Sequence, residues 1–206
     1  MVKTIYLMRH GETLFNTQGR VQGVCDSPLT ENGRAQAQAA KNYFAEQGVQ
    51  FGAVYSSTQE RATDTAKIVS GQENVQQLKG LKEMDFGIFE AQPEMLLPKF
   101  RPGANSFEDL LVPFGGEDIR TVGQRVAQTV EETVSGQDEK TVLAVSHGAA
   151  MWGFMLHHKI ELPADFRFSN CAICQLTVEN EQIRFEKLID SAHDFKVYDF
   201  KQGGLV

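Results

Sequence analysis

Short runs of consecutive apolar and β-branched residues alternate along this chain with segments in which apolar residues recur every three or four positions. Residues 3–8 (KTIYLM), 52–55 (GAVY) and 141–145 (TVLAV) are of the first kind. Nearly continuous apolar runs of that length suit strands of a sheet covered on both faces. The segments between them predict helices. Thr30 is placed to cap one in which Ala37, Ala40 and Phe44 share a face, with Gly48 closing it. Ser57-Thr58-Gln59-Glu60 has the form of a capping box and leads into Ala62, Ala66 and Val69. After Gly115-Gly116, the residues Ile119, Val122, Val126, Val130 and Val134 form one stripe, and the stretch from Ala149 to His158 is apolar on nearly every side, as a buried helix would be. Residues 171–178 and 182–188, parted by Glu179-Asn180-Glu181, predict a terminal hairpin.

This alternation predicts one α/β domain over residues 1–206, a three-layer α/β/α sandwich with a largely parallel central sheet. The irregular stretch at about 91–115 contains Pro93, Pro98, Pro102 and Pro113, four of the six prolines. It is too long for a simple connection and predicts a small cap, inserted at about 88–115, over the site. The tail Lys201-Gln202-Gly203-Gly204 is expected to fray.

Composition narrows the function classes. With 206 residues, 41% of them hydrophobic and 23% charged, the chain is long enough to bury a core and is not of a disordered or fibrous type. Twenty basic residues against 27 acidic ones leave a net charge of −7. That field repels polyanions, so neither nucleic acid nor an acidic membrane is expected as a partner. A small phosphorylated ligand remains possible, because a local cluster of arginines overrides the sign of the whole. The three cysteines, Cys25, Cys171 and Cys174, cannot all pair within one chain. Cys171 and Cys174 have the spacing of half a zinc site, but no second pair completes it, and positions three apart face opposite sides of a strand. Buried thiols are expected. The apolar start at 1–8 is too short for a signal-peptide core, and no run approaches the roughly 18 apolar residues of a membrane span; a cytoplasmic protein is expected.

Two of the predicted strands end alike. The first runs into Arg9-His10-Gly11-Glu12-Thr13 and the one at 141–145 into Ser146-His147-Gly148. In an open α/β sheet, ligands sit beyond the carboxyl ends of the strands, so both histidines are delivered to that crevice. The third strand leads to Arg61 in the first turn of a helix, whose N-terminal amides favour an anion. Two arginines, two histidines and a helix N-terminus describe a phosphate pocket. The planar guanidinium pairs with two phosphate oxygens and stays charged, and a neutral imidazole nitrogen is nucleophilic toward phosphorus. A proton donor for the leaving alcohol is still needed, and Glu83, in Leu81-Lys82-Glu83-Met84-Asp85-Phe86-Gly87, is the best placed carboxyl, with Asp85 second.

Arg9-His10-Gly11-Glu12-Thr13 with Asn16, then Gln22-Gly23 and Asp26-Ser27-Pro28-Leu29-Thr30-Glu31-Asn32-Gly33, resembles the opening of the histidine phosphatase superfamily, the phosphoglycerate-mutase-like proteins. The resemblance continues through Tyr55-Ser56-Ser57, Arg61-Ala62-Thr63-Asp64-Thr65-Ala66, Glu83 with Phe86-Gly87, and Val145-Ser146-His147-Gly148, covering Thr4 to about Leu176. It implies that His10 is phosphorylated, that Arg9, Arg61 and His147 hold the phosphoryl group, and that Glu83 is the general acid. It places Asn16, Gln22, Gly23 and Gly148 against the substrate, and it implies no cofactor and no metal. No pair among the five histidines lies at ligand spacing with an acidic partner, in agreement. Phe89-Glu90-Ala91 stands where many members have Trp-Glu-Gly, and Asp118 stands where a serine is common. The Glu-Arg-His-Tyr-Gly block and the Arg-Arg pair of the cofactor-dependent mutases do not occur in this chain. The expectation is therefore a metal-independent phosphomonoesterase acting on a small metabolite. A phosphoglycerate-type mutase and an inactive phospholigand-binding protein are the alternatives.

Other residues carry weaker signals. His157 and His158 at a helix end are expected to complement its dipole in solvent. His193 is expected on the surface, unless the C-terminal segment folds over the pocket. Arg20 and Lys82 read as solvated charges. Phe86, Phe89, Phe100, Phe107 and Phe114 cluster around the cap and favour an apolar leaving group, whereas Lys99 and Arg101 pull toward acidic substrates.

Overall fold

A computed structural model describes residues 2–180 and 182–200 of the chain. In order these form β1 (Lys3–Arg9), the single turn α1 (Leu14–Thr17), α2 (Glu31–Glu46), β2 (Ala53–Ser56), α3 (Glu60–Ser70), β3 (Gln76–Gln77), α4 (Ile119–Thr129), β4 (Thr141–Ser146), α5 (Gly148–His157), β5 (Ile173–Glu179), β6 (Gln182–Asp190) and β7 (Lys196–Asp199). The sheet order is β3-β2-β4-β1-β5-β6-β7. Strands β3, β2, β4 and β1 are parallel, and β5, β6 and β7 extend the sheet antiparallel from β1.

The apolar runs are buried on both faces because successive side chains point to opposite sides. Ile5 and Leu7 pack with α4 and α5, through Val122, Val126, Met151 and Phe154. Tyr6 and Met8 pack with α2 and α3, through Ala37, Ala40, Phe44, Ala62 and Ala66. This is the α/β/α sandwich expected. Cys174 lies in the first core and Cys171 in the second, both buried and unpaired as read from their spacing.

Helix α4 meets α5 at two glycines. A Cβ on Gly123 would stand 2.2 Å from the Gly153 carbonyl oxygen, so this crossing requires bare backbone.

Several boundaries differ from expectation. The cap of α3 is Gln59, with no side-chain bond, and not Ser57. The Ser57 hydroxyl instead accepts from Gln59 N (3.2 Å) and reaches His147. The stripe expected to run through Val134 is broken: α4 ends at Thr129 and Val130–Val134 form a π turn, which keeps Val130 and Val134 buried. The first hairpin strand starts at Ile173, because Cys171 takes a left-handed φ of 62°. β7 had no counterpart in the sequence pattern. Its residues are largely exposed and carry no clear alternation, and pairing with β6 along the sheet edge makes it a strand.

His158 is the clearest correction. It is buried against Phe154 and Phe185, with ring centroids at 4.7 and 5.3 Å. Burial, with His157 second, pushes its pKa down to about 4, so it is neutral and does not complement the helix dipole. The tail at 201–204 lies outside the described residues.

From Gly87 to Asp118 the chain makes three 3-10 turns, Gly87–Phe89, Glu94–Leu96 and Val112–Phe114, before α4 begins. Asp118 caps α4, its Oδ1 accepting from Arg120 N at 2.8 Å. An aspartate performs there the N-cap function that a serine would.

Candidate active site

The register of the parallel strands assembles the site. Arg9 at the end of β1 lies opposite Ser146 at the end of β4, so the next residues, His10 and His147, emerge side by side with ring centroids 5.1 Å apart. On the other flank of β4, Ser56 of β2 pairs with Val145, which delivers Ser57 to His147: the Ser57 Oγ to His147 Nε2 distance is 2.7 Å. Arg61, in the first turn of α3, places Nε 3.3 Å from His10 Nε2 and 3.2 Å from His147 Nδ1. These contacts fix both tautomers. His10 Nδ1 donates to the Gly11 carbonyl at 2.7 Å, leaving Nε2 with its lone pair. His147 Nδ1 accepts from Arg61, so its Nε2 carries the proton and donates to Ser57. Both imidazoles titrate well below the ordinary histidine value, chiefly because they are buried and next because Arg61 stands beside them. Both are neutral at neutral pH.

Arg61 is completely buried and its donors are engaged. Nη1 donates to the Cys25 carbonyl and Asp26 Oδ1 (2.9 and 2.8 Å), and Nη2 to the Gln22 and Gly23 carbonyls (3.3 and 3.0 Å). Gln22, with its amide oxygen turned to Arg61, accepts from Nη1 at 3.2 Å and donates to Thr13 Oγ1 at 2.6 Å. Gly23 has both backbone groups taken, its N–H by Glu90 and its carbonyl by Arg61, and a Cβ there would lie 2.2 Å from the Met84 carbonyl. Asn16 closes a capping box on α1 and accepts from Asn170 Nδ2 at 3.3 Å. Gln22, Gly23 and Asn16 thus build the wall around Arg61 and His10.

Arg9 donates from Nη1 to the Phe168 carbonyl (2.6 Å), while its Nε is buried with no hydrogen-bond partner among the described residues. Gly148 lies beside it, and a Cβ at that position would make an ordinary contact with Arg9 Nε at 3.4 Å. Burial lowers the Arg9 pKa and the nearby Glu83 charge opposes that shift. Glu83 sits on the N-terminus of α5. Its Oε1 accepts from Met84 N and Ala150 N (2.9 and 2.8 Å), and Oε2 accepts from Ala149 N (3.1 Å). Oε2 keeps one lone pair free. Asp85 is turned away, its Oδ1 accepting from Gly87 N at 2.8 Å.

Sequence reasoning passed over the residues that hold these groups in place. Gln59 bridges the Gly23 carbonyl and Glu83 N. Arg125, paired with Glu117 at 2.8 Å, donates to the Gly80, Lys82 and Glu83 carbonyls and so clamps the strap that carries Glu83. Glu90 gathers the Gly23, Val24, Cys25 and Phe86 amides. Only Glu90 left a signal, since it keeps the acidic position of the tripeptide that departs from Trp-Glu-Gly. His193 is largely exposed and paired with Asp190 at 2.8 Å.

Residues 5–191 match the histidine phosphatase superfamily (branch 1). A protein of Yersinia pestis named probable phosphoglycerate mutase GpmB is 31% identical over 202 residues, 92% of each chain. Bacillus stearothermophilus YhfR superposes with a TM-score of 0.75 at 30% identity, over 89% of this chain and 95% of that one. A phosphoserine phosphatase from Entamoeba histolytica, solved with 3-phosphoglyceric acid, gives 0.71 at 26% identity, over 90% and 96%. Sequence and fold agree over nearly the whole length, and the chain belongs to the histidine phosphatase superfamily, branch 1.

Proposed function

We propose that this protein hydrolyses a phosphomonoester through a phosphohistidine on His10. The observation that carries this reading is the state of His10: a neutral imidazole whose Nδ1–H bond to Gly11 leaves Nε2 unprotonated, its lone pair meeting only the Arg61 Nε–H at 3.3 Å. In the proposed cycle His10 Nε2 attacks phosphorus as the bond to the alcohol oxygen breaks in line with it. Glu83, a carboxylate in the free protein, takes a proton on Oε2 from the bound phosphomonoester monoanion and gives it to the departing alkoxide. A water then attacks phosphorus, Glu83 takes back a proton, and inorganic phosphate leaves with His10 neutral again.

Arg9 Nε, buried and unpartnered among the described residues, suits an equatorial phosphoryl oxygen, and His147 Nε2–H can leave Ser57 for another. Arg61 would exchange one of its bonds to the 22–26 loop for the same purpose. The segment at 88–115 would act as the cap. Hydrolysis is favoured over transfer to a second alcohol because the mutase blocks do not occur. Denaturing quench during turnover should trap a phosphoenzyme labile to acid and stable to alkali, and His10→Ala should abolish it. An acid-stable adduct, or turnover by His10→Ala, overturns the reading.

A further inference from the structure

A cavity of about 290 Å³ opens against Gly148 and Ala149 at the start of α5 and against Met84, the residue after Glu83. Half of the remaining wall is aromatic, from Phe100, Phe107, Trp152 and Phe168, and its polar members are Asn105, Ser106 and Arg167. Three of its wall residues bond to the proposed catalytic groups. Ala149 N holds Glu83 Oε2, Met84 N holds Glu83 Oε1, and the Phe168 carbonyl holds Arg9. A larger cavity of about 910 Å³ continues outward, sharing Phe100, Trp152 and Phe168 with the first. Phe100, 46% exposed, stands at the junction and meets Phe107 edge to face at 4.7 Å.

Two arginines stand at or near this wall. Arg101 is paired with both Glu108 and Asp109, at 2.9 and 2.6 Å. Arg167 is part of the wall and donates from Nη1 to the Ala164 and Phe166 carbonyls, with no acidic partner among the described residues. An acidic leaving group would therefore meet one cation, Arg167, against four aromatic rings. Aromatic walls favour a flat ring, which they meet in edge-to-face and offset contacts.

We propose that this cavity receives the alcohol part of the substrate and selects phosphomonoesters of alcohols bearing a flat apolar ring over those of small hydroxy acids. The inference rests on the phosphohydrolase reading above for the position of the phosphoryl group. Trp152 is the only tryptophan and lines the cavity, so its emission reports occupancy without any chemistry.

The test is binding of non-hydrolysable benzylphosphonate, methylphosphonate and 3-phosphonopropionate, measured by calorimetry and by Trp152 emission. Benzylphosphonate should bind about tenfold or more tighter than methylphosphonate, the gain expected from burying one ring, and should alter Trp152 emission. Phe100→Asp should collapse that ratio toward one, and Phe100→Leu, which keeps an apolar mouth, should retain most of it. Equal affinities, tighter binding of 3-phosphonopropionate, or ring binding that leaves Trp152 emission unchanged each overturn the proposal. If benzylphosphonate is selected as expected while benzyl phosphate is not hydrolysed, the cavity assignment stands and the phosphohydrolase reading is what fails.

Discussion

Replacing Glu83 by Gln is usually regarded as a silent, isosteric test of a general acid, but the structure predicts that this one is not silent. The carboxylate accepts three backbone N–H bonds, two of them from the first turn of α5. A glutamine has one acceptor oxygen, and its amide nitrogen would face a backbone donor. At least one charge-assisted bond is lost, worth about 1.5–3 kcal/mol, and the negative charge at the helix N-terminus adds about 0.3–1 kcal/mol. A destabilisation of about 2–4 kcal/mol follows, or a fall in Tm of about 5–15 °C for a chain of this size. Below the new Tm the chemistry can be read separately. A general acid contributes about 10²–10⁴-fold, in proportion to how badly the leaving group needs a proton. Phosphohistidine formation from an alkyl phosphate should fall by that factor, and formation from p-nitrophenyl phosphate far less. The second step still lacks its base, so the variant should release a burst of nitrophenol and stall with His10 phosphorylated. Quench-flow with both substrates, beside a thermal melt, decides the matter. Equal loss of the first step with both substrates and no burst would mean that Glu83 only caps α5. An unchanged Tm would refute the hydrogen-bond argument.

Arg125→Met releases the three carbonyls of the Glu83 strap and should cost about 2–3 kcal/mol in a urea melt, while lowering turnover more for alkyl phosphates than for p-nitrophenyl phosphate. Equal loss with both would show that the strap does not position Glu83. For His158 the sign follows from its depressed pKa. Below the ordinary value of 6.5 the unfolded chain takes up a proton that the folded chain refuses until about pH 4, so stability is lost as pH falls through that window and is unaffected above it. His158→Leu should lose less stability than the parent between pH 6.5 and 4, and an identical pH slope in the two proteins would refute the burial argument. Chelators should leave the hydrolysis rate unchanged, because Arg9 and Arg61 supply the positive charge; a loss restored by a divalent ion would overturn that assignment.

Local features were the legible part. Apolar runs marked β1, β2 and β4, three- and four-residue periods marked α2, α3 and α4, and the residues just past β1 and β4 marked His10 and His147. What failed were features whose outcome depends on a distant neighbour. Ser57 has the composition of a cap, but the serine is drawn to His147, 90 positions away in the chain. His158 follows the last turn of α5 as a dipole partner would, yet Phe185 across the core covers it. The bonds of Arg61 to the carbonyls of Gln22, Gly23 and Cys25 were not legible either, because the sequence does not encode the closeness of that loop locally.

By itself, then, the sequence determined the main core strands and helices, the layer architecture and which side chains reach the carboxyl ends of the strands, because hydrophobic period and strand polarity are properties of contiguous residues. Only the tertiary structure decided the His10 tautomer, the three amides on Glu83, the Arg125 clamp beneath it and the aromatic cavity beside it. The α5 amides on Glu83, the clamp and the cavity join groups tens of residues apart, and a hydrogen bond forms or fails over a few tenths of an ångström, a distance that strand register and helix packing set and composition does not.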